Sequence, residues 1–178
     1  MEKIMFPTEN RSITLNNGVQ MPQLGLGVWL AKNGQETYNE VRWALEAGYR
    51  SIDTAELYDN EESVGKAIRD SGLDRGEVFL TTKVWNTSFG YEKTLASFQK
   101  SLELLQTEYV DLYLLHYPVA GLYLDSWRAL EELYQQKKVR AIGVSNFHLN
   151  HLVDLMEHAQ VQPVVNQIEL HPYLTQKE

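Results

Sequence analysis

Polar side chains recur where short apolar segments of the sequence end. In chain order they are Asp53, Lys83, His116, the pair Ser145 and Asn146, and Gln167. Successive members are about 20 to 35 residues apart, which is the length of one strand followed by one helix. An imidazole at such a position could transfer a proton, and a lysine could act as a nucleophile.

Lys83 is the most unusual of these residues. The segment Thr81-Thr82-Lys83-Val84 places a long cation within an apolar strand, where an unpaired charge is costly. We expect Asp53, at the end of the neighbouring strand, to supply the anion. Taken singly, the other polar residues are common as helix caps or loop residues, and His116 as a core histidine. Together on one face they favour a functional site.

The elements that would position these residues alternate between two kinds. Six short apolar segments are predicted as strands buried on both faces: Leu24–Gly27, Ser51–Asp53, Val78–Val84, Val110–His116, Ala141–Ser145 and Val164–Glu169. Five amphipathic segments between them have the apolar spacing of helices, and Asn60 is expected to be the N-cap of the second. Before them, Ser12–Leu15 and Val19–Met21 flank Asn16-Asn17-Gly18, which predicts a β-hairpin.

Such alternation demands parallel strands with right-handed crossovers. Two architectures meet this requirement: an open doubly wound sheet and a closed (β/α)₈ barrel. No Gly-x-Gly-x-x-Gly follows the first strand, and this counts against the open dinucleotide-binding sheet. In a barrel, the carboxyl ends of the strands converge on the face that carries the active site.

Composition excludes several classes of function. The net charge of −8 disfavours nucleic acid as a partner, and the absence of cysteine excludes disulfides and thiolate metal sites. The first eleven residues contain no apolar run of signal-peptide length. The longest apolar stretches, such as Val110–Leu115, are too short to span a bilayer. These features predict a cytoplasmic protein with no membrane partner.

Several long motifs resemble those of the aldo-keto reductase family, in the family's order. The first signature is similar to Gly48-Tyr49-Arg50-Ser51-Ile52-Asp53-Thr54-Ala55, with Tyr58, Asn60-Glu61 and Val64-Gly65 after it. The second resembles Ile142-Gly143-Val144-Ser145-Asn146-Phe147, and the sixth-strand segment resembles Asn166-Gln167-Ile168-Glu169-Leu170-His171-Pro172-Tyr173. Taken together, these motifs most resemble those of the small prokaryotic aldehyde and ketone reductases.

The resemblance implies a TIM (β/α)₈ barrel that reduces aldehydes or ketones with NADPH and needs no metal. It assigns the catalytic tetrad to Asp53, Tyr58, Lys83 and His116. It also implies that Ser145, Asn146 and Gln167 bind the carboxamide group of the nicotinamide. The substrate pocket would be lined by Trp29, Trp85 and His116.

In the implied mechanism, Tyr58 protonates the developing alkoxide. A free tyrosine has a pKa of about 10, so the Lys83 ammonium is expected to lower it. Asp53 would hold Lys83, and His116 would donate a hydrogen bond to the carbonyl of a small substrate.

Two features depart from the family pattern. Tyr117 follows the histidine where many relatives carry tryptophan.

The residues 1–178 would form one incomplete barrel domain, with a hairpin region at 12–22 and six strands with their helices at 24–174. The seventh and eighth strands and the loop that grips the 2′-phosphate of NADPH would be missing. We therefore expect this chain to be inactive alone and to associate through open sheet edges, whereas the complete parent would be a monomer.

Three alternatives stay open at this stage. One is a regulatory or binding protein on the same fold, as in the β-subunits of voltage-gated potassium channels. Another is a Schiff-base aldolase that uses Lys83, against which the motif at Tyr58 argues. The third is an inactive truncated product.

Overall fold

The computed structural model describes residues 11–177. Its strands are β1 (Ser12–Thr14), β2 (Gln20–Pro22), β3 (Leu26–Gly27), β4 (Ser51–Asp53), β5 (Phe79–Val84), β6 (Val110–Leu115), β7 (Val139–Ser145) and β8 (Asn166–Gln167). Its α-helices are α1 (Gln35–Glu46), α2 (Glu61–Asp70), α3 (Tyr91–Leu105), α4 (Tyr123–Gln135) and α5 (Leu149–His158). Short 3₁₀ turns lie at Glu56–Tyr58, Arg75–Glu77 and Asn86–Ser88.

The strands form two sheets. β1 and β2 pair as the predicted antiparallel hairpin, and β3 to β8 form a parallel sheet in which every strand lies beside its neighbours in the sequence. The central strands are the longest, and every residue of β5 and β6 is buried. Helices follow the strands along the chain, as the alternating pattern predicted.

The outer strands are shorter than the sequence predicts. β3 contains two residues rather than the four of Leu24–Gly27, and β8 contains two rather than the six of Val164–Glu169. Within the described residues each of these strands pairs on one side only, so fewer ladder hydrogen bonds extend it. Hydrophobic patterning alone therefore overestimated both strands.

A side-chain hydrogen bond shows that the parallel sheet curls. Gln167 Nε2 on β8 donates to Asp53 Oδ2 on β4 at 3.0 Å, although three strands lie between them in the sheet. A flat sheet with strands about 4.8 Å apart would hold these residues far beyond this reach. The sheet is thus part of a β/α barrel, as predicted.

The hairpin closes the end of the barrel opposite this contact. Leu15 packs in an inner core with Phe79, Leu112, Leu114 and Ala141. Asn16 and Asn17 donate side-chain hydrogen bonds to the carbonyl oxygens of Pro163 and Arg140. A larger core lies between the sheet and the helices.

Asn60 has the predicted position but a different role. It precedes α2, yet its side chain makes no capping hydrogen bond to the helix. Instead the buried amide accepts from Thr54 Oγ1 and donates to the carbonyl oxygens of Val28 and Ala31. Those carbonyls lie in the loop after β3, so Asn60 joins this loop to the end of β4. Asn60 is thus the N-cap residue of α2, as predicted, but its side chain makes no capping hydrogen bond because the buried amide satisfies these groups instead.

The helices pack closely around the sheet. A Cβ at Gly65 on α2 would overlap the backbone of Leu105 on α3, so only glycine fits at this contact. Buried Glu61 accepts hydrogen bonds from Thr82 on β5 and Ser101 on α3. Within residues 11–177, none of the helices is long and apolar enough to cross a membrane.

Candidate active site

The buried ammonium of Lys83 lies at the centre of a polar cluster at the carboxyl ends of the strands. Its Nζ donates to Asp53 Oδ1 at 2.5 Å and to the carbonyl oxygen of Thr54 at 3.0 Å. The hydroxyl of Tyr58 lies 3.3 Å from the same Nζ. The Lys83 side chain is 0% exposed, so these oxygens replace the water that would otherwise solvate its charge.

This geometry brings together residues from separate elements. Lys83 comes from β5, Asp53 from the end of β4, and Tyr58 from the 3₁₀ turn that follows β4. The second oxygen of Asp53 accepts from Gln167. Asp53 therefore bridges the ammonium and the amide, which fixes the orientation of its carboxylate.

The electrostatics of Tyr58 differ from the expectation. Burial raises the pKa of Tyr58 above its usual value, and the negative charge of Asp53 raises it further. Burial lowers the pKa of Lys83, while the carboxylate of Asp53 opposes that shift. The expectation that the ammonium lowers the pKa of the phenol is wrong in its net direction. Asp53 already compensates the charge of Lys83, and desolvation of the phenol dominates.

His116 lies directly after β6 among aromatic rings. Its ring centre is 5.7 Å from that of Tyr58 and 5.1 Å from that of Trp85, both in edge-to-face contacts, and it stacks on Tyr117. Burial and the charge of Lys83 lower the pKa of His116 from 6.5 to about 4. The imidazole is therefore neutral at neutral pH, with one N–H donor and one acceptor.

This shift predicts a pH dependence of stability. The unfolded chain takes up the His116 proton near pH 6.5 and the folded chain only near pH 4. The folded state therefore loses stability as the pH falls through this window, by roughly 1–3 kcal/mol. Urea unfolding at several pH values should show a weaker acid loss for His116→Gln than for the parent. Equal slopes for His116→Gln and the parent would contradict the prediction.

A cavity of about 570 Å³ opens above this cluster. The three residues predicted to form the substrate pocket all line it, together with Leu57, Tyr58, Asn86, Tyr117, Ser145, Asn146, Gln167, Ile168 and Glu169. Trp29 is 66% exposed, so it is not a core residue. The ring of Trp85 makes edge-to-face contacts with the rings of both His116 and Tyr117.

The residues predicted to bind a carboxamide form one network at the ends of β7 and β8. Ser145 Oγ donates to the carbonyl oxygen of Gln167, and Asn146 Nδ2 donates to Ser145 Oγ and to the carbonyl oxygen of His116. Within residues 11–177, the side-chain oxygens of Asn146 and Gln167 accept no hydrogen bond from the protein. Both residues line the cavity, so these two acceptors are available to a ligand with N–H groups.

Comparison with known protein families agrees with this arrangement. A family model described as the Aldo/keto reductase family matches residues 23–178. The chain belongs to the aldo/keto reductase family. Within this family fold the curled sheet is part of a TIM barrel.

Similar proteins cover most of this aldo/keto reductase chain. A 9,11-endoperoxide prostaglandin H2 reductase of Trypanosoma cruzi is 60% identical over 93% of the chain and 58% of its own length. A glyoxal reductase of Bacillus subtilis is 56% identical over 94% of the chain and 60% of its own length. A Bombyx mori aldo-keto reductase solved in complex with NADP superposes with a TM-score of 0.88 at 37% identity, covering 94% of this chain and 60% of that one. The chain thus spans about three fifths of these proteins.

Sequence analysis missed part of the site of this aldo/keto reductase. Leu57, Asn86, Ile168 and Glu169 line the cavity, and Glu56 lies behind it. All of them lie outside the strands, in turns or loops where periodicity does not determine the direction of a side chain. The nearest signal was position, because Asn86 follows Trp85 directly and Glu56 lies between Asp53 and Tyr58.

Proposed function

We propose that the protein reduces small aldehydes and dicarbonyls to alcohols with NADPH, and that Tyr58 is the proton donor. The observation that carries this proposal is the position of Tyr58. Its hydroxyl lies 3.3 Å from the buried Lys83 ammonium, and Tyr58 lines the cavity beside His116. Since the chain spans about three fifths of its relatives, the activity is proposed for the whole protein of which these residues form the site.

Tyr58 would donate its proton to the oxygen of the reduced carbonyl. Its raised pKa keeps the phenol protonated throughout the neutral range, so the proton is present when it is needed. An alkoxide is a stronger base than a phenolate, which makes the transfer favourable. As the proton leaves, the Lys83 ammonium would donate a charge-assisted hydrogen bond to the phenolate oxygen, and Asp53 would keep the ammonium in place.

His116 would orient the carbonyl. The neutral imidazole can donate one N–H to the carbonyl oxygen, and Trp85 packs edge-to-face against the ring. Within the described residues, the Nδ1 atom of His116 has no hydrogen-bond partner, so no protein group fixes its tautomer. A substrate oxygen would then select the tautomer that donates to it.

The chemistry of the cavity fits a nicotinamide cofactor, which would supply the hydride when bound. The free acceptor oxygens of Asn146 and Gln167 match the N–H groups of a carboxamide. Because the amide nitrogens of both residues are occupied by protein acceptors, these oxygens keep a fixed direction. We therefore assign the carboxamide end of NADPH to Ser145, Asn146 and Gln167.

A Schiff-base role for Lys83 has less support. A lysine nucleophile must reach the carbonyl carbon with a free amine. The Nζ atom of Lys83 is instead enclosed by oxygens of Asp53, Thr54 and Tyr58, and its side chain is 0% exposed.

The experiment is a turnover assay that follows oxidation of the reduced nicotinamide. We expect faster oxidation of NADPH with glyoxal-type dicarbonyls and small aldehydes than without substrate. A prostaglandin endoperoxide belongs in the same panel, because a relative is named for reducing one. NADH is the cofactor control. Absence of carbonyl-dependent oxidation in the complete protein, with correct folding shown by circular dichroism, would refute the proposal.

A further inference from the structure

The carboxylate of Glu56 joins two loops that carry different parts of the site. The tyrosine loop, residues 54–60, contains the 3₁₀ turn with Tyr58, and the tryptophan loop, residues 85–90, contains Trp85. Glu56 Oε2 accepts from the backbone N–H of Trp85 at 2.7 Å, and Oε1 accepts from Ser88 Oγ at 2.7 Å. Oε2 also accepts from Ser97 Oγ on α3 at 2.9 Å.

These bonds are the polar connection between the two loops. Within residues 11–177, every hydrogen bond that joins the tyrosine loop to the tryptophan loop ends on Glu56. The other hydrogen bonds of each loop are internal or run to other elements. For example, the N–H of Tyr58 donates to Ala55, and the N–H of Ser88 donates to Trp85.

Both loops contribute to the cavity. Tyr58 and Leu57 line it from the tyrosine loop, and Trp85 and Asn86 line it from the tryptophan loop. His116 lies between them, with ring contacts to Tyr58 at 5.7 Å and Trp85 at 5.1 Å. The distance between the two loops therefore sets the width of the space above His116.

We propose that Glu56 is a positioning residue that sets the separation between the proton donor Tyr58 and the aromatic wall Trp85. The kinetic part of this inference rests on the proposed carbonyl reduction. Glu56 itself does not line the cavity, so it acts through the loops it holds. A carboxylate suits this task because it accepts three hydrogen bonds through two oxygens. In a glutamine one oxygen remains an acceptor while the Nε2 amide can only donate, so the bond with Ser88 must reverse its direction and all three contacts lose the charge of the carboxylate.

The first test reports the position of Trp85 without requiring activity. The chain contains four tryptophans, so incorporation of 5-fluorotryptophan should give four fluorine resonances, and Trp85→Phe identifies the one from Trp85. We expect Glu56→Gln to shift or broaden the Trp85 resonance while those of Trp43 and buried Trp127 stay in place. Glu62→Gln removes an equal charge from an exposed residue nearby and should leave all four unchanged. An unmoved Trp85 resonance in Glu56→Gln would overturn the inference, whether or not the protein reduces carbonyls.

The second test measures the kinetic consequence in the complete protein. We expect kcat/KM for a carbonyl substrate to fall about tenfold in Glu56→Gln and further in Glu56→Ala, because a misplacement of about 1 Å can lose up to roughly a hundredfold. The Kd for NADPH should not change, since Glu56 makes no hydrogen bond to the carboxamide network. Ser88→Ala removes one of the bonds and should give a smaller loss.

A displaced Trp85 resonance combined with the same kcat/KM as in Glu62→Gln would reject the positioning role. A parent protein with no turnover would instead count against the proposed function and leave the resonance test decisive.

Discussion

Replacing Tyr58 with phenylalanine should lower kcat by about 10²–10⁴-fold, the usual contribution of a positioned general acid. The change removes only the hydroxyl that lies 3.3 Å from Lys83 and keeps the ring that packs against His116. The hydroxyl acts on the alkoxide that forms during the reaction, so kcat and kcat/KM should fall together. The Kd for NADPH, measured by fluorescence titration, should stay close to that of the parent.

The matched control for this variant is Tyr49→Phe, which removes a hydroxyl that lies outside the cavity. It should keep the parent rate. Near-normal kcat in Tyr58→Phe would exclude Tyr58 as the acid. A large rise in the Kd for NADPH with little change in kcat would instead indicate a binding role.

Breaking the buried ion pair should have the largest effect on stability. In Asp53→Asn, the ammonium of Lys83 stays buried but loses its carboxylate, and we expect the free energy of unfolding to fall by about 3 kcal/mol. The carboxylate is 22% exposed and the lysine side chain 0%. An unpaired charge on the lysine therefore costs more free energy than an unpaired charge on the aspartate would. Urea unfolding followed by circular dichroism measures the loss.

The double variant Asp53→Asn/Lys83→Met separates the ion pair from its surroundings. With the cation removed as well, no unpaired charge remains, and we expect stability to recover part of the loss seen in Asp53→Asn. Both variants should lack activity. If the double variant is less stable than Asp53→Asn by the full cost of Lys83→Met alone, the two residues are not coupled, which would contradict the pairing argument.

Much of this site could be predicted from the sequence because strands leave a clear signal. Lys83 was recognisable as a cation within an apolar strand, and its pairing with Asp53 follows from the cost of burying charge. The six parallel strands followed from their alternation with amphipathic segments. The functional roles of the site residues stay predictions.

Other features depended on three-dimensional contacts that no local pattern encodes. The side chain of Asn60 turns to the carbonyl oxygens of residues about thirty positions earlier, rather than to its own helix. The raised pKa of Tyr58 depends on how deeply the ring is buried, and the bonds of Glu56 depend on where the next loop lies. Each of these is set by tertiary packing, so motif and periodicity could not determine them.

The hydrogen bond from Gln167 to Asp53 joins residues 114 positions apart, whereas each strand of the sheet pairs with its nearest neighbours in the sequence. During synthesis from the N-terminus, β4 and β5 can pair long before the ribosome has added Gln167. The carboxylate that holds Lys83 therefore acquires its amide partner only after four more strands have been made. This hydrogen bond closes a much longer loop than the pairing of neighbouring strands does, so closing it costs more chain entropy, and it depends on the curl of all five strands from β4 to β8.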